Sequence, residues 1–143
     1  DAVLIALGAG RQGTIRSEGT RNIIQAMQQK GVRRLVCLST LGVGESRGNL
    51  NFLWKYIMFG FLLRKAFADH LLQEQYIQQS DLDWTIVRPG AFTDGELTET
   101  YQHGFGPSAE NLELKISRAD VAHFMLRQLA DNRYLHKTPG LSY

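Results

Sequence analysis

Ala2-Val3-Leu4-Ile5-Ala6-Leu7 is an uninterrupted apolar run behind Asp1, and it stops at Gly8-Ala9-Gly10-Arg11-Gln12-Gly13. A run this short, apolar on both faces and ended by glycines, reads as a strand of a parallel sheet covered from both sides. Two later stretches have the same form. Arg34-Leu35-Val36-Cys37-Leu38-Ser39 ends in small polar residues and Gly42, and Trp84-Thr85-Ile86-Val87-Arg88 stops at Pro89-Gly90. Helical patterns lie between them. Ser17 suits the N-cap of a helix whose Ile23, Ile24, Ala26 and Met27 recur at helical spacing. Lys30-Gly31 closes that helix with a cationic last turn and a glycine at C′. A long tract over about 52–79, broken near Gly60, carries Leu63, Phe67, Leu71, Leu72 and Tyr76. Residues 43–51 and 93–111 have loop chemistry, and 112–117 suits a short strand. The 118–129 stretch is amphipathic, with Val121, Phe124, Met125 and Leu129 on one face, and the 136–143 tail has room for an edge strand.

Strands alternating with helices predict an α/β fold, a Rossmann-like doubly wound parallel sheet, with residues 1–143 as a single domain. Ligands of such sheets bind beyond the carboxyl ends of the strands. Attention therefore falls on 8–13, 39–42 and 89–93. The chain has 143 residues, 43% hydrophobic, with 16 Lys+Arg against 14 Asp+Glu, a composition that suits one globular domain and excludes collagen-like, disordered and disulfide-built classes. A net charge of +2 gives no argument for nucleic acid. The single Cys37 has no partner for an internal disulfide and no signal-peptide pattern opens the chain, so the cytoplasm is the expected compartment. His103, His123 and His136 lack metal-ligand spacing, and no metal site is expected. Between residues 52 and 63 only Lys55 and Gly60 interrupt the apolar residues, short of the roughly 20 needed for a membrane span. Three readings of that tract stand: a bent lid over a substrate pocket, the contact surface of a homodimer, or a membrane-interface helix attended by Lys55, Arg64 and Lys65. A two-sided buried strand at the very start also leads us to expect an upstream portion.

Four segments in order carry a family resemblance: Ser17-Glu18-Gly19-Thr20-Arg21-Asn22-Ile23, Gly31-Val32-Arg33-Arg34-Leu35-Val36, Leu82-Asp83-Trp84-Thr85-Ile86-Val87-Arg88-Pro89-Gly90 and Ile116-Ser117-Arg118-Ala119-Asp120-Val121-Ala122. Together they resemble the atypical short-chain dehydrogenases with NmrA-like NAD(P)-binding folds. Within that family, the start of the first helix and His123-Phe124-Met125-Leu126-Arg127 look most like the biliverdin-IXβ reductase/flavin reductase branch. The resemblance implies that the chain corresponds to the carboxyl two-thirds of such a domain, strands four to six with the following helices. The Gly-x-x-Gly-x-x-Gly phosphate loop would then precede Asp1, Ala2 to Leu7 would form an edge strand, and the 143-residue chain alone would hold NADP(H) weakly. Gly8, Gly10 and Gly13 have the spacing of a Gly-x-Gly-x-x-Gly fingerprint, but Thr14-Ile15-Arg16 separate them from the cap at Ser17 and no acidic residue closes the second strand. The resemblance instead makes this the loop after strand four, beside the adenine ribose and the nicotinamide.

The implied cofactor is NADP, with NAD as the alternative. Its implied contacts are Leu7, Gly8, Ala9, Gly10 and Arg11 after the first visible strand, and Leu38, Ser39 and Thr40 after the second. His70 follows on the long helix, then Pro89, Gly90, Ala91 and Phe92 after the third strand. Thr40, with Ser39 before it, is the implied hydroxyl for a substrate carbonyl or nicotinamide amide; a hydroxyl that merely satisfies a turn is the other reading. The Tyr-x-x-x-Lys pair of the classical enzymes is absent, since Tyr56 is followed four residues later by Gly60 and Tyr76 by Ser80. His70 falls where relatives carry a lysine and the flavin reductase branch a histidine. It is read either as a nicotinamide-ribose partner and proton donor near neutral pH, or as a helix-surface histidine beside Asp69. Asp120 suits a helix start by the dipole alone and is expected to be structural. The implied activity is NAD(P)H-dependent reduction of a flavin, quinone or similar conjugated acceptor, a small apolar or aromatic molecule. The alternative is a non-catalytic NAD(P)-binding redox sensor or regulator of the NmrA-like type. The missing Tyr–Lys pair suits both.

Overall fold

The structure is a computed structural model that describes residues 1–8, 13–44, 64–106 and 109–143. Ala9, Gly10, Arg11 and the apolar tract 52–63 lie outside the described residues. β1 (Ala2–Ile5), β2 (Arg34–Leu38) and β3 (Asp83–Pro89) pair in parallel in chain order, with Ala2 opposite Arg34 and Arg34 opposite Asp83. Alternate residues of β2 and β3 feed two cores, which is why those runs are apolar on both faces; β1 reaches only the first, through Val3 and Ile5, and Leu4 on its other face is 38% exposed, so the covering from both sides expected of this run is not found among the described residues. Ile5, Leu35, Cys37 and Ile86 pack with Ile24, Met27 and Ile77 of the helices α1 (Ile15–Lys30) and α2 (Arg64–Gln78). Val36 and Val87 face the other way, against Val121, Phe124 and Met125 of α3 (Arg118–Arg127). Helices on both faces of a parallel sheet are the expected doubly wound arrangement.

Beyond β3 the sheet continues with β7 (Gly140–Ser142), parallel to it, and ends with β5 (Gln102–His103), which runs antiparallel. Among the described strands β1 forms the opposite edge. The tail strand is not an edge strand. Gly140 and Leu141 pair with Arg88 and Pro89, Leu141 is fully buried, and β5 returns from the 94–103 excursion to cover its far side. A second, two-stranded sheet joins β4 (Ala91–Thr93) to β6 (Lys115–Ser117) in parallel.

The start of α1 departs from expectation. Thr14 holds the N-cap position at φ 105 without a side-chain bond, and Ser17 lies inside the first turn. The first-turn N–H groups of Arg16 and Ser17 donate to Asp69 of α2, to Oδ2 and Oδ1 at 3.0 Å each, and the Ser17 hydroxyl donates to Oδ1 at 2.5 Å. The cap is thus supplied from another helix. Burial raises the Asp69 pKa, but the Ser17 and Arg16 hydrogen bonds outweigh it and hold the carboxyl below its usual range. At the other end Gly31 adopts φ 70, the left-handed C-cap that its sequence position announced.

Asp120 holds the excursion together. Fully buried, it accepts from the N–H groups of Thr98 and Glu99, the Thr98 hydroxyl and the Tyr143 hydroxyl, while Ser117 caps α3 by accepting from the Asp120 N–H at 3.0 Å. Burial opposes the charge, yet these donors hold the carboxyl at about pKa 2.

One buried ion pair fixes the carboxyl ends of β2 and β3. Glu74 of α2 and Arg88 of β3, 2% and 3% exposed, meet side-on, with Nε–Oε1 at 3.1 Å and Nη2–Oε2 at 2.6 Å. The Ser39 hydroxyl, just past β2, donates to the same Oε1 at 2.5 Å.

Replacing Asp120 by Asn should lower unfolding free energy by about 2 kcal/mol in urea titrations, because an amide cannot accept all four donors. Its depressed pKa stabilises the fold above the unfolded carboxyl pKa. Wild-type stability should therefore fall as pH drops from about 4 towards 2, with a smaller fall in the variant. Glu74→Gln should cost about 3–5 kcal/mol, since it leaves the buried guanidinium without this carboxylate. Pairing it with Arg88→Met should recover most of that loss in the same assay.

Candidate functional site

The parallel register carries three chain segments out on one edge of the sheet. Ile5 lies opposite Cys37 and Leu38 opposite Val87, so Leu7-Gly8, the 39–44 turn and the 89–92 segment emerge side by side. The ladder continues past the strands. Ser39 N–H donates to Val87 O and Leu41 N–H to Pro89 O, both at 2.8 Å, which holds the second segment against the third. The edge named from the sequence is thereby assembled.

Individual residues differ in what they present there. Leu7 is half-buried against the first core and Gly8 is exposed, with nothing within 4 Å of where a Cβ would stand. Leu38 is half-buried against the second core. Ser39 is only 2% exposed and its hydroxyl is engaged by Glu74. It therefore does not offer the substrate-facing group proposed for it. Thr40 is half-buried, its Oγ1 making only a long 3.4 Å contact to the carbonyl of Leu41. Of the two hydroxyls, Thr40 has the capacity to bind something else.

Pro89 is buried, while Ala91 and Phe92 are exposed. At Gly90, one of the implied cofactor contacts, packing explains the missing side chain. A Cβ on Gly90 would lie 2.5 Å from the carbonyl carbon and oxygen of Leu114 and 2.9 Å from the Lys115 nitrogen. The close passage of the β6 backbone, to which Ala91 N–H donates through Leu114 O at 2.8 Å, excludes any side chain at this position. Phe92 lies under the Arg118 guanidinium at 5.3 Å, and Arg118 is ion-paired with Asp94.

His70 sits on α2 beside the α1–α2 seam rather than on a freely solvated surface. Its Nδ1 is 3.2 Å from Oε1 of the fully buried Gln73, whose Nε2 donates to Thr20 of α1 at 2.9 Å. Because the Gln73 amide nitrogen is used by Thr20, its oxygen is the acceptor. That assigns the His70 proton to Nδ1 and leaves Nε2 with its lone pair. Burial, then the nearby Arg16 charge, push its pKa down to about 4 against the weaker pull of Gln73 and Asp69. His70 is therefore neutral across physiological pH. A neutral imidazole that donates at Nδ1 and accepts at Nε2 acts as a hydrogen-bonding group.

α2 separates two openings. One, of about 350 Å³, is lined by Gly42, Val43, Gly44, Arg64, Phe67, Ala68 and Leu71. The other, of about 630 Å³, lies by the start of α1 and is lined by Gly13, Thr14, Ser17, Lys65, Ala68, Asp69 and Leu72. Among the described residues no three His, Cys, Asp or Glu side chains converge as metal ligands, and no helix is long and apolar enough to cross a membrane.

Sequence reasoning missed Glu74, Arg88, Gln73 and Asp69. A signal for two of them was present. The inward stripe of α2 passes through Phe67, Glu74 and Ile77, so a carboxylate sits among core positions, and Arg88 is a cation directly after the apolar Ile86 and Val87. Buried charges of opposite sign in neighbouring elements call for one another.

The NAD(P)H-binding family model matches residues 1–132. The chain is 29% identical to the UPF0659 protein YMR090W of Saccharomyces cerevisiae, over 99% of this chain and 62% of that protein. Among solved structures it is similar to ChuY, an anaerobillin reductase from Escherichia coli O157:H7, with 28% identity and a TM-score of 0.69 over 98% of this chain and 63% of that one. It also shares its fold with a wide-type short-chain dehydrogenase/reductase from Veillonella parvula in complex with NADP, at 19% identity and a TM-score of 0.75, over 98% and 62% of the two chains. The chain thus spans about three-fifths of the length of these relatives. With the helix-covered parallel sheet, the family model over most of its length places the chain: it belongs to the NAD(P)H-binding family.

Proposed function

We propose that this protein is an NAD(P)H-dependent oxidoreductase that reduces a flavin, quinone or similar conjugated acceptor, with NADP(H) as the preferred dinucleotide. The observation that carries this reading is the kind of group found at the carboxyl edge. Thr40 supplies a hydroxyl and His70 a neutral imidazole, both hydrogen-bonding groups, and the cleft between the 42–44 turn and the beginning of α2 has apolar walls; the described edge residues include no tyrosine–lysine acid pair. These groups bind and orient, and they fit the nicotinamide and ribose part of a dinucleotide. Bound nicotinamide would supply the hydride, and a conjugated acceptor would spread the incoming charge over its own ring system and take its proton from solvent after release. The chain's contribution is then positional. Thr40 holds an amide or carbonyl oxygen, His70 Nε2 accepts from a ribose hydroxyl, and Val43, Phe67 and Leu71 keep water from the acceptor ring. The second core, the buried Glu74–Arg88 pair and the close-packed Gly90 make the edge stiff, as orientation requires.

The same lack of an acid suits a protein that binds dinucleotide without turning it over, as a redox sensor. Steady-state NADPH and NADH oxidation with a flavin and with a naphthoquinone, set beside calorimetric NADP(H) binding, separates the two. Turnover with either acceptor supports the reductase; binding with no turnover supports the sensor.

His70→Ala should weaken dinucleotide binding or kcat/KM by about 1–2 kcal/mol, the worth of one hydrogen bond. Because His70 stays neutral down to about pH 4, kcat/KM should show no loss from this group as pH rises through 6.5. Its folded pKa lies below the ordinary histidine value, so the unfolded chain takes up the proton first. The His70 contribution to stability is whole above pH 6.5 and lost as pH falls towards 4, and His70→Ala should flatten that part of a thermal-unfolding profile.

A further inference from the structure

A neutral imidazole and a carboxamide each carry a donor at one end and an acceptor at the other, so neither fixes its own orientation. Three side chains on the α1–α2 seam settle it for one another. Thr20 of α1 and Gln73 of α2 have no solvent exposure, while His70, three residues before Gln73, is half-buried. Gln73 Nε2 donates to Thr20 Oγ1 at 2.9 Å, and Gln73 Oε1 lies 3.2 Å from His70 Nδ1. The carboxamide is therefore engaged at both ends, and losing either partner strands a buried polar atom. Turned over, the same amide would offer His70 Nδ1 an N–H, and the imidazole proton would move to Nε2. Both arrangements are uncharged. They differ in what His70 shows a ligand, an acceptor in the first and a donor in the second. A neutral histidine side chain in water prefers its proton on Nε2, so the arrangement found is one that the seam imposes.

We propose that Thr20 and Gln73 are positioning residues for the dinucleotide, holding the His70 proton on Nδ1 so that Nε2 accepts from a ribose hydroxyl. A ligand that offers only an acceptor at this point is disfavoured. Thr20, fully buried, acts on a ligand it cannot touch, through two side chains and across the seam between two helices. Arg16 and Asp69 bear on whether the ring is charged, whereas the carboxamide decides which nitrogen keeps the proton. This rests on the reading of His70 as a dinucleotide contact, and it adds the residues that set the polarity of that contact.

Nitrogen-15 spectra of the histidine rings near neutral pH, with His70 assigned by its loss in His70→Ala, read the tautomer without any ligand. The ring is uncharged there, so its two nitrogens report where the single proton sits. The wild-type protein should hold it on Nδ1. Thr20→Ser should keep it there, while Thr20→Val and Gln73→Met should move it to Nε2 in a large part of the molecules. Calorimetric NADP(H) titrations should give dissociation constants about three- to tenfold weaker for Thr20→Val and Gln73→Met, with Thr20→Ser close to wild type. In the His70→Ala background Thr20→Val should weaken binding no further, whereas a purely structural role would weaken it in both backgrounds. If Gln73→Met fails to fold, Thr20→Val, which exchanges one hydroxyl for a methyl, decides alone. A wild-type proton on Nε2, a tautomer indifferent to Thr20→Val, a tautomer shift without weaker binding, or the same loss in both backgrounds would overturn the proposal. A wild-type protein that holds the proton on Nδ1 and binds no NADP(H) fails differently: the seam then sets the tautomer, and it is the dinucleotide site itself, with the positioning role, that falls.

Discussion

The Glu74–Arg88 pair is the constraint from which the geometry of the functional edge follows. Two opposite charges, each nearly without solvent, are tolerable only when their geometry is close and their remaining hydrogen-bonding capacity is met. Side-on contact through two guanidinium nitrogens meets the first condition, and the Ser39 hydroxyl helps with the second. The consequence is that α2, the end of β2 and the end of β3 cannot shift independently, since each contributes one member. The chain segment that leaves β2 is thereby aimed, with Ser39 turned inward and Thr40 next to it less engaged.

α2 repeats this role along its length. Asp69 caps the start of α1, Gln73 reaches Thr20 and steers His70, and Glu74 serves the sheet. Polar side chains on the buried side of a helix are costly unless each finds a partner, and here the partners lie on other elements, α1 for Asp69 and Gln73 and β3 for Glu74. The row thus works as a set of distance restraints between α1, α2 and the strands. It also sets the electrostatics, because the buried Arg16 and the shelter of the seam keep the His70 imidazole uncharged.

On the other flank, Asp120 gathers two backbone amides and two hydroxyls from the 94–100 segment and the chain's last residue, which ties the excursion beyond β4 to the start of α3. The excursion ends in β5, whose pairing closes the sheet beside β7. Gly90 is the hinge between the large and small sheets, bare because the strand entering β6 passes too closely for a side chain. Rigidity on both flanks suits a site whose chemistry resides in a bound cofactor and whose own residues orient.

Local composition determined the strands at 2–5, 34–38 and 83–89, their parallel order, the C-cap at Gly31 and the structural use of Asp120, because two-sided burial, chain alternation and capping leave marks within a few residues. The edge beyond the carboxyl ends of the strands was legible for the same reason: it follows from strand direction alone. The cap of α1 was not, since its acceptor is 52 residues away in sequence. Nor was the diversion of Ser39 to Glu74, or the neutral state of His70, or the position of the tail strand inside the sheet. Each of these depends on which side chain from a distant element arrives at a given point. Hydrophobic periodicity tells which face of an element is buried and is silent about which polar partner is buried with it. That choice, between a hydroxyl offered to a ligand and one consumed by the fold, was made only when the elements packed.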